Sequence, residues 1–246
     1  MLKPFRSIEL LKHQSFVCKG NFNVLCWNVA KLSLQKDFKK YLHSIIKDEK
    51  IDFLFLQEVK EGLQKGMLLH DYSYVFSPNI VTKNHHFGVL NAFKVSCERA
   101  KSLLTTAQEL KYTTHKSSLL TLHEMAGKQK LLMVNLHAIN FVTAKEFKAE
   151  LNYIKEQILL YDGPLIVAGD FNTWNSRRVV FLRDFAHELS LQEVAFTHDK
   201  HIKKMFDKRL DHVFYRDLHV EYSKVIKSDG FSDHNPMVVG FSNCKS

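Results

Sequence analysis

Short apolar runs alternate along the chain with longer stretches in which apolar residues recur at helical spacing. Asn21 to Val29 is apolar and rich in β-formers, and it predicts a first strand ending near Asn28. From Leu34 to Lys50, the residues Leu34, Phe38, Tyr41, Leu42, Ile45 and Ile46 share one helical face, with lysines and acids opposite. Ile51 to Leu56 is the next buried strand and runs straight into Gln57 and Glu58. Strand, helix, strand in that order implies a right-handed crossover that brings Asn28 and Glu58 to one sheet edge.

Beyond Gly62 the pattern to Asn84 is loop-like, with a strand at Tyr72 to Phe76. Phe87 to Val95, Ser102 to Thr106, Ser118 to Glu124 and Lys130 to Leu136 read as successive short strands, the last two joined by a turn at Ala126-Gly127-Lys128. His137 follows at once. Thr143-Ala144-Lys145-Glu146 has the form of a capping box and predicts a helix to about Tyr161. Pro164 to Gly169 is a strand buried on both faces, and it delivers Asp170 and Asn172 where it ends. A helix near Ser176 to Leu189 and strands at Asp211 to Tyr215, Val220 to Val225 and Pro236 to Phe241 complete the chain. The mixture predicts two packed sheets with helices outside, in one domain over residues 1–246 with residues 1–20 as an amino-terminal extension.

Composition narrows this picture in three ways. The 246 residues are 45% hydrophobic, with 19 Phe and four Pro, enough for a substantial core and against disorder. The formal charge of +9 favours polyanionic partners without choosing among nucleic acid, anionic lipid and phosphorylated metabolites. Cys18, Cys26, Cys97 and Cys244 lack zinc-type spacing, and the adjacent His85 and His86 point in different directions on a strand, so neither set predicts a metal site. Met1 to Phe16 lacks the continuous apolar core of a signal peptide, and no segment is long and apolar enough to span a bilayer. A soluble, cytoplasmic monomer is the expectation.

The chemistry collects at strand ends: Asn28, Glu58, His137, Asp170, Asn172, Asp211, Asp233 and His234. Singly, each is as readily a turn or cap residue. Together, five apolar strands each hand over to a carboxylate, carboxamide or imidazole. In context these are Trp27-Asn28-Val29, Leu56-Gln57-Glu58, Asn135-Leu136-His137, Gly169-Asp170-Phe171-Asn172, Arg209-Leu210-Asp211-His212 and Ser232-Asp233-His234-Asn235-Pro236. Six motifs in this order resemble the endonuclease/exonuclease/phosphatase superfamily. The resemblance implies an α/β fold, a four-layer α/β/β/α sandwich of the deoxyribonuclease I type, and Mg²⁺-dependent cleavage of a phosphate ester.

Under that resemblance Glu58 and Asp233 are hard oxygen ligands suited to Mg²⁺ or Mn²⁺, with Asn28 beside Glu58, orienting it or sharing a metal-bound water. Asp170 orients and deprotonates the attacking water, and Asn172 donates its amide to a phosphate oxygen. Asp211 fixes His234 in one tautomer and favours its protonated form, while His137 donates to the phosphate or protonates the leaving oxygen. A histidine at position 137 argues against the abasic endonucleases. Gly169-Asp170-Phe171-Asn172 lacks the continuation found in the inositol phosphatases.

Charge placement points to the substrate. Lys203, Lys204 and Arg209 lead into Asp211, and Arg177 and Arg178 follow Asn172, so both groups are candidates for backbone phosphates flanking the scissile one. Trp174 either stacks on a base or packs at the sheet rim. The expectation is a DNA endonuclease with little sequence preference. The alternatives are hydrolysis of inositol phosphates or phospholipid head groups on the same scaffold, and a catalytically silent binding module.

Overall fold

A computed structural model of the protein describes residues 7–13, 16–62, 69, 71–109 and 114–243. Cys244, residues 1–6 and positions 63–68 and 70 of the expected loop lie outside the described residues.

In chain order the elements begin with β1 (Ile8–Leu10), β2 (Asn21–Asn28), α1 (Lys36–Asp48), β3 (Phe53–Gly62), β4 (Ser73–Val81), β5 (His85–Phe93) and β6 (Arg99–Leu104). They continue with β7 (Ser117–Glu124), β8 (Lys130–His137), α2 (Ala144–Ile158), β9 (Leu165–Asp170), α3 (Ser176–Glu188) and β10 (Gln192–Glu193). Last come β11 (Lys204–Met205), β12 (Lys208–Arg209), β13 (Asp211–Arg216), β14 (Leu218–Val225) and β15 (Met237–Asn243). A seven-stranded sheet runs β1-β4-β5-β3-β2-β15-β14 and a six-stranded sheet runs β10-β13-β9-β8-β7-β6.

Alternation along the strands creates the layers. In β2, Val24 and Cys26 point into the core between the sheets, while Leu25 and Trp27 point outward against Phe38, Leu42, Ile45 and Ile46 of α1. In β9, Ile166 and Ala168 face the inter-sheet core, whereas Leu165 and Val167 meet Phe147, Leu151, Ile154 and Ile158 of α2. Three apolar cores between four layers are the α/β/β/α sandwich, and each fully buried Leu or Phe contributes about 1.5–3 kcal/mol. Gln57 Nε2 donates to Asn135 Oδ1 at 2.7 Å across the inter-sheet core, and Asn135 Nδ2 donates to the Leu56 and Leu90 carbonyls. This buried polar clamp fixes one sheet against the other just beneath Glu58 and His137.

The crossover expected from the sequence is present, with β2 and β3 paired in parallel around α1, and a second one joins β8 and β9, paired in parallel around α2. The capping box of α2 forms, with Glu146 N donating to Thr143 Oγ1 and Thr143 N to Glu146 Oε2. The departures are local. β4 runs on to Val81, Ile8–Leu10 adds an edge strand beside it, and Lys204 to Arg209 folds into a hairpin whose two strands pair only with each other. Among the described residues no helix is long and apolar enough to cross a membrane.

Candidate active site

The parallel registers bring three strand ends and the bulge of β3 to one edge. Asn28 lies opposite Gln57, one residue short of Glu58, and His137 lies opposite Asp170. Antiparallel neighbours start at the same edge, so Asp211 at the beginning of β13 also lies opposite Asp170. Gly169 allows β8 and β9 to approach: a Cβ there would stand 1.8 Å from the Leu136 carbonyl oxygen.

His234 arrives on the turn before β15, which is pinned at several points. Ser232 Oγ donates to the Asn28 carbonyl at 2.8 Å, His234 N donates to Ser232 Oγ, and the buried Trp27 indole donates to the His234 carbonyl at 2.9 Å. Asn235 accepts from Ser228 N and donates to the His201 carbonyl. The small and polar residues of the Ser-Asp-His-Asn motif are thus the anchors that aim one imidazole.

Asp170 is the centre. Its carboxylate is 3% exposed, accepts from Asn28 Nδ2 at 3.1 Å and from Asn172 N at 3.0 Å, and has both His137 Nε2 and His234 Nε2 at 3.8 Å from Oδ2. Burial and the nearby Asp211 charge push its carboxyl up to about 6, against the opposing pull of His234. Burial alone would lower His234, but the charge of Asp211 and its hydrogen bonds to Nδ1, at 2.8 and 3.0 Å, outweigh it and push the imidazole up to about 9. His234 is therefore a cation at neutral pH, held in one orientation by Asp211.

Asn28 and His137 take partners other than those expected, and Asn172 divides its amide. Asn28 serves Asp170 rather than Glu58: its Nδ2 donates to the aspartate, and its Oδ1 accepts from Ala30 N at 3.1 Å. Asn172, on a left-handed backbone at φ 50°, commits one amide hydrogen to the Ala138 carbonyl, which leaves the other for the cleft. His137 is 3.1 Å from Lys116 Nζ, and because an ammonium only donates, His137 Nε2 is the acceptor. Burial, then the charges of Lys116, His234 and Lys31, hold His137 well below the usual imidazole range, so it is neutral.

Glu58 stands apart from this dry cluster. A bulge between Leu56 and Val59, with Glu58 at φ 51°, turns its side chain into the cleft, where it stays 25% exposed. Lys31 Nζ is 3.4 Å from one of its oxygens and His137 Nε2 is 3.8 Å from the other. Asp233 also lines the cleft, is 65% exposed and bonds Lys203 Nζ at 2.8 Å, which with the His234 charge draws its carboxyl below the usual range although burial alone would raise it. Asp170, Asp211 and His234 offer ligand atoms within 4.8 Å of one another, but a protonated imidazole is a poor ligand. The solvent-facing oxygens of Glu58, with Asp233 lining the same cleft, match a hard divalent cation better.

The cleft has a volume of about 460 Å³, and Glu58, His137, Asp170, Asn172, Asp233 and His234 all line it. Lys116 and Glu109, 3.6 Å apart, belong to its wall, and sequence reasoning missed both. Strand ends were the signal followed, and Lys116 precedes a strand start. It reaches the edge because β7 runs antiparallel to β8, with Ser118 opposite Leu136.

The basic candidates separate. Lys203 and Lys204 line the cleft, and Arg177 is exposed at the start of α3. Arg178 is not a surface cation: it is 1% exposed, donates to the carbonyls of Ile139, Asn172 and Val142, and lies 4.4 Å from the Phe147 ring and 5.0 Å from the Trp174 ring. Position 178 shares a helical face with Leu182, Phe185 and Ala186, the signal that would have marked it as buried. Arg209 turns away from the catalytic cleft, bonding Asp199 at 2.6 Å and lining a separate hollow of about 550 Å³ beside α3.

Known proteins resemble this chain in sequence and fold. The chain is 33% identical over 229 residues to a UPF0294 protein of Erwinia tasmaniensis, which spans 90% of this chain and 81% of that protein. An endonuclease/exonuclease/phosphatase family protein from Leptotrichia buccalis superposes with a TM-score of 0.68 at 20% identity, covering 90% of this chain and 99% of its own. The human Nocturnin catalytic domain, solved with a bound sulfate anion, superposes with a TM-score of 0.65 at 19% identity, covering 99% and 100%. Residues 25–234, which hold every strand end of the cleft, match the model of the Endonuclease/Exonuclease/phosphatase family, whose members hydrolyse phosphoester bonds and generally depend on a metal, and the chain belongs to that family.

Proposed function

We propose that the protein is a divalent-cation-dependent phosphodiesterase that hydrolyses the nucleic-acid backbone, with DNA the leading substrate. The observation that carries this reading is Asp170 lying between two imidazoles of opposite character, one held cationic and one held neutral.

Asp170 accepts a proton from the attacking water. Its raised pKa makes it a stronger base than a surface carboxylate while leaving it ionised at neutral pH. Asn28 and the Asn172 amide hold one carboxylate in register for that transfer. As the new P–O bond forms and the bond to the leaving oxygen breaks, negative charge builds on the phosphoryl oxygens. His234, fixed by Asp211, and the Lys116 ammonium are the cations that meet it. The leaving oxygen takes its proton from the Lys116 ammonium, which donates to the neutral His137 and is positioned by it. Glu58 and Asp233 would hold a hard cation such as Mg²⁺ or Mn²⁺, which would neutralise charge at the phosphate.

Lys203 and Lys204 at the cleft and Arg177 beside it favour a polyanion extending past the scissile phosphate over an isolated small ester. The test is incubation with supercoiled plasmid in Mg²⁺, Mn²⁺ or chelator, with Asp170→Asn and His234→Ala alongside. Cation-dependent nicking lost in both variants is the expected result. No cleavage of any polynucleotide by folded protein, with retained hydrolysis of bis(p-nitrophenyl) phosphate, would overturn the choice of substrate.

A further inference from the structure

Two large aromatic rings stand in solvent near the cleft: Phe141 lines it, and Phe206 follows Met205, which lines it too. Phe141 is 56% exposed and Phe206 is 73% exposed, and each sits on a left-handed backbone, at φ 49° and φ 50°. Bulky residues seldom adopt that conformation, and when they do the surrounding structure enforces it. Phe206 is in the tight turn of the β11–β12 hairpin, and Phe141 follows Asn140 in the loop between β8 and α2.

The rings form one shelf. Asn140 Oδ1 accepts from the Trp174 indole at 2.8 Å and from the Phe141 amide at 2.9 Å, so a single carboxamide ties those two residues together. Trp174 meets Phe206 edge-on with centroids 6.3 Å apart, and the buried Arg178 guanidinium fixes its other side. Asn140 and Phe141 line the cleft together with Asp170 and His234, as do Lys203 and Lys204 from the strand leading to Phe206.

Resting on the reading of the cleft as a nucleic-acid hydrolase, we infer that this shelf is a stacking platform for unpaired bases and that the substrate enters as a single strand. Exposed ring faces interleaved with lysines match a chain that alternates flat bases with phosphates. In a duplex the base faces are already occupied by their neighbours, and the shelf would meet only sugar and phosphate. A lipid surface is the poorer match. Two rings present little apolar area, and Leu159 and Leu160, also exposed, sit at the far end of α2, away from the cleft.

The experiment uses fluorescence anisotropy in chelator, without turnover, on three labelled probes of equal length: a thymidine oligonucleotide, its duplex, and an abasic strand that keeps the phosphates but lacks bases. Wild type should bind the thymidine strand at least tenfold more tightly than the other two. Phe141→Ala/Phe206→Ala should lose roughly fivefold or more per ring on the thymidine strand, leave the abasic strand unchanged, and keep the wild-type circular dichroism spectrum. Equal wild-type affinity for thymidine and abasic strands, or a preference for duplex, overturns the platform while leaving a nuclease in place. Loss in the variant of binding to phosphatidylserine vesicles, with thymidine binding intact, overturns it in favour of a membrane contact. A wild type that neither binds nor cleaves any strand overturns the shelf and the nuclease reading together.

Discussion

The two crossovers end at the same edge but treat their carboxylates differently. In the second, β8 and β9 end level, and Asp170 is buried against Asp211, Asn28 and two imidazoles. In the first, β3 bulges past the end of β2 and pushes Glu58 out to where water and Lys31 reach it. One topological position thus yields a dry carboxylate, whose proton affinity is tuned by its neighbours, and a wet one, whose oxygens can face a cation. The loops that fix them differ too. Ser33 Oγ donates to the Lys60 carbonyl and accepts from Lys60 N on the first side, while buried Arg178 gathers three carbonyls on the second.

Removing the dry carboxylate has the largest expected effect. Asp170→Asn keeps the shape and the hydrogen bonds of the backbone around it but cannot take a proton, so turnover of a phosphodiester falls by about 10²–10⁴-fold with an unchanged circular dichroism spectrum. Steady-state kinetics on plasmid or bis(p-nitrophenyl) phosphate measures it.

Next comes pH. Activity rises as Asp170 ionises through about 6 and falls as His234 deprotonates through about 9. Asp211→Asn removes the largest charge that raises His234, so the upper limb moves down from about 9. The same group leaves a mark on stability. Because its folded pKa is raised, His234 contributes stability that is complete below 6.5 and is lost as pH rises through about 9, and Asp211→Asn reduces that loss. Urea titrations at pH 6 and 9.5 check this.

The loop contrast gives smaller numbers. Arg178→Ala leaves three carbonyls without their donor and should cost about 2–4 kcal/mol, whereas Ser33→Ala should cost about 1 kcal/mol. Arg177→Ala, one residue away but exposed, should leave stability unchanged and lower the salt dependence of DNA binding by about one charge. Thermal melts and salt-titrated binding separate the two arginines.

Much of this edge was legible in the sequence because a buried strand announces itself by apolar residues and its end by the first polar one. His137 and Asp170 were singled out that way and do end β8 and β9. Glu58 was singled out in the same way but lies within β3, which runs on past its bulge to Gly62, and Asp211 and His234 were singled out through their motifs. Lys116 escaped because it precedes a strand start, and only an antiparallel pairing carries it to the edge. Arg178 was misread because charge was weighed above helical position: its guanidinium satisfies buried carbonyls instead of water. The partner of Asn28 was not legible at all, since Asp170 is 142 residues away on the other sheet and meets it only once the sheets pack.

The division between dry and wet carboxylates is tested most directly by calorimetric titration of Mn²⁺ into wild type, Glu58→Gln and Asp170→Asn. Glu58→Gln should weaken binding at least about tenfold, while Asp170→Asn leaves it intact despite its larger loss of turnover. If Asp170→Asn abolishes Mn²⁺ binding and Glu58→Gln does not, the cation belongs in the buried cluster and the assignment is reversed.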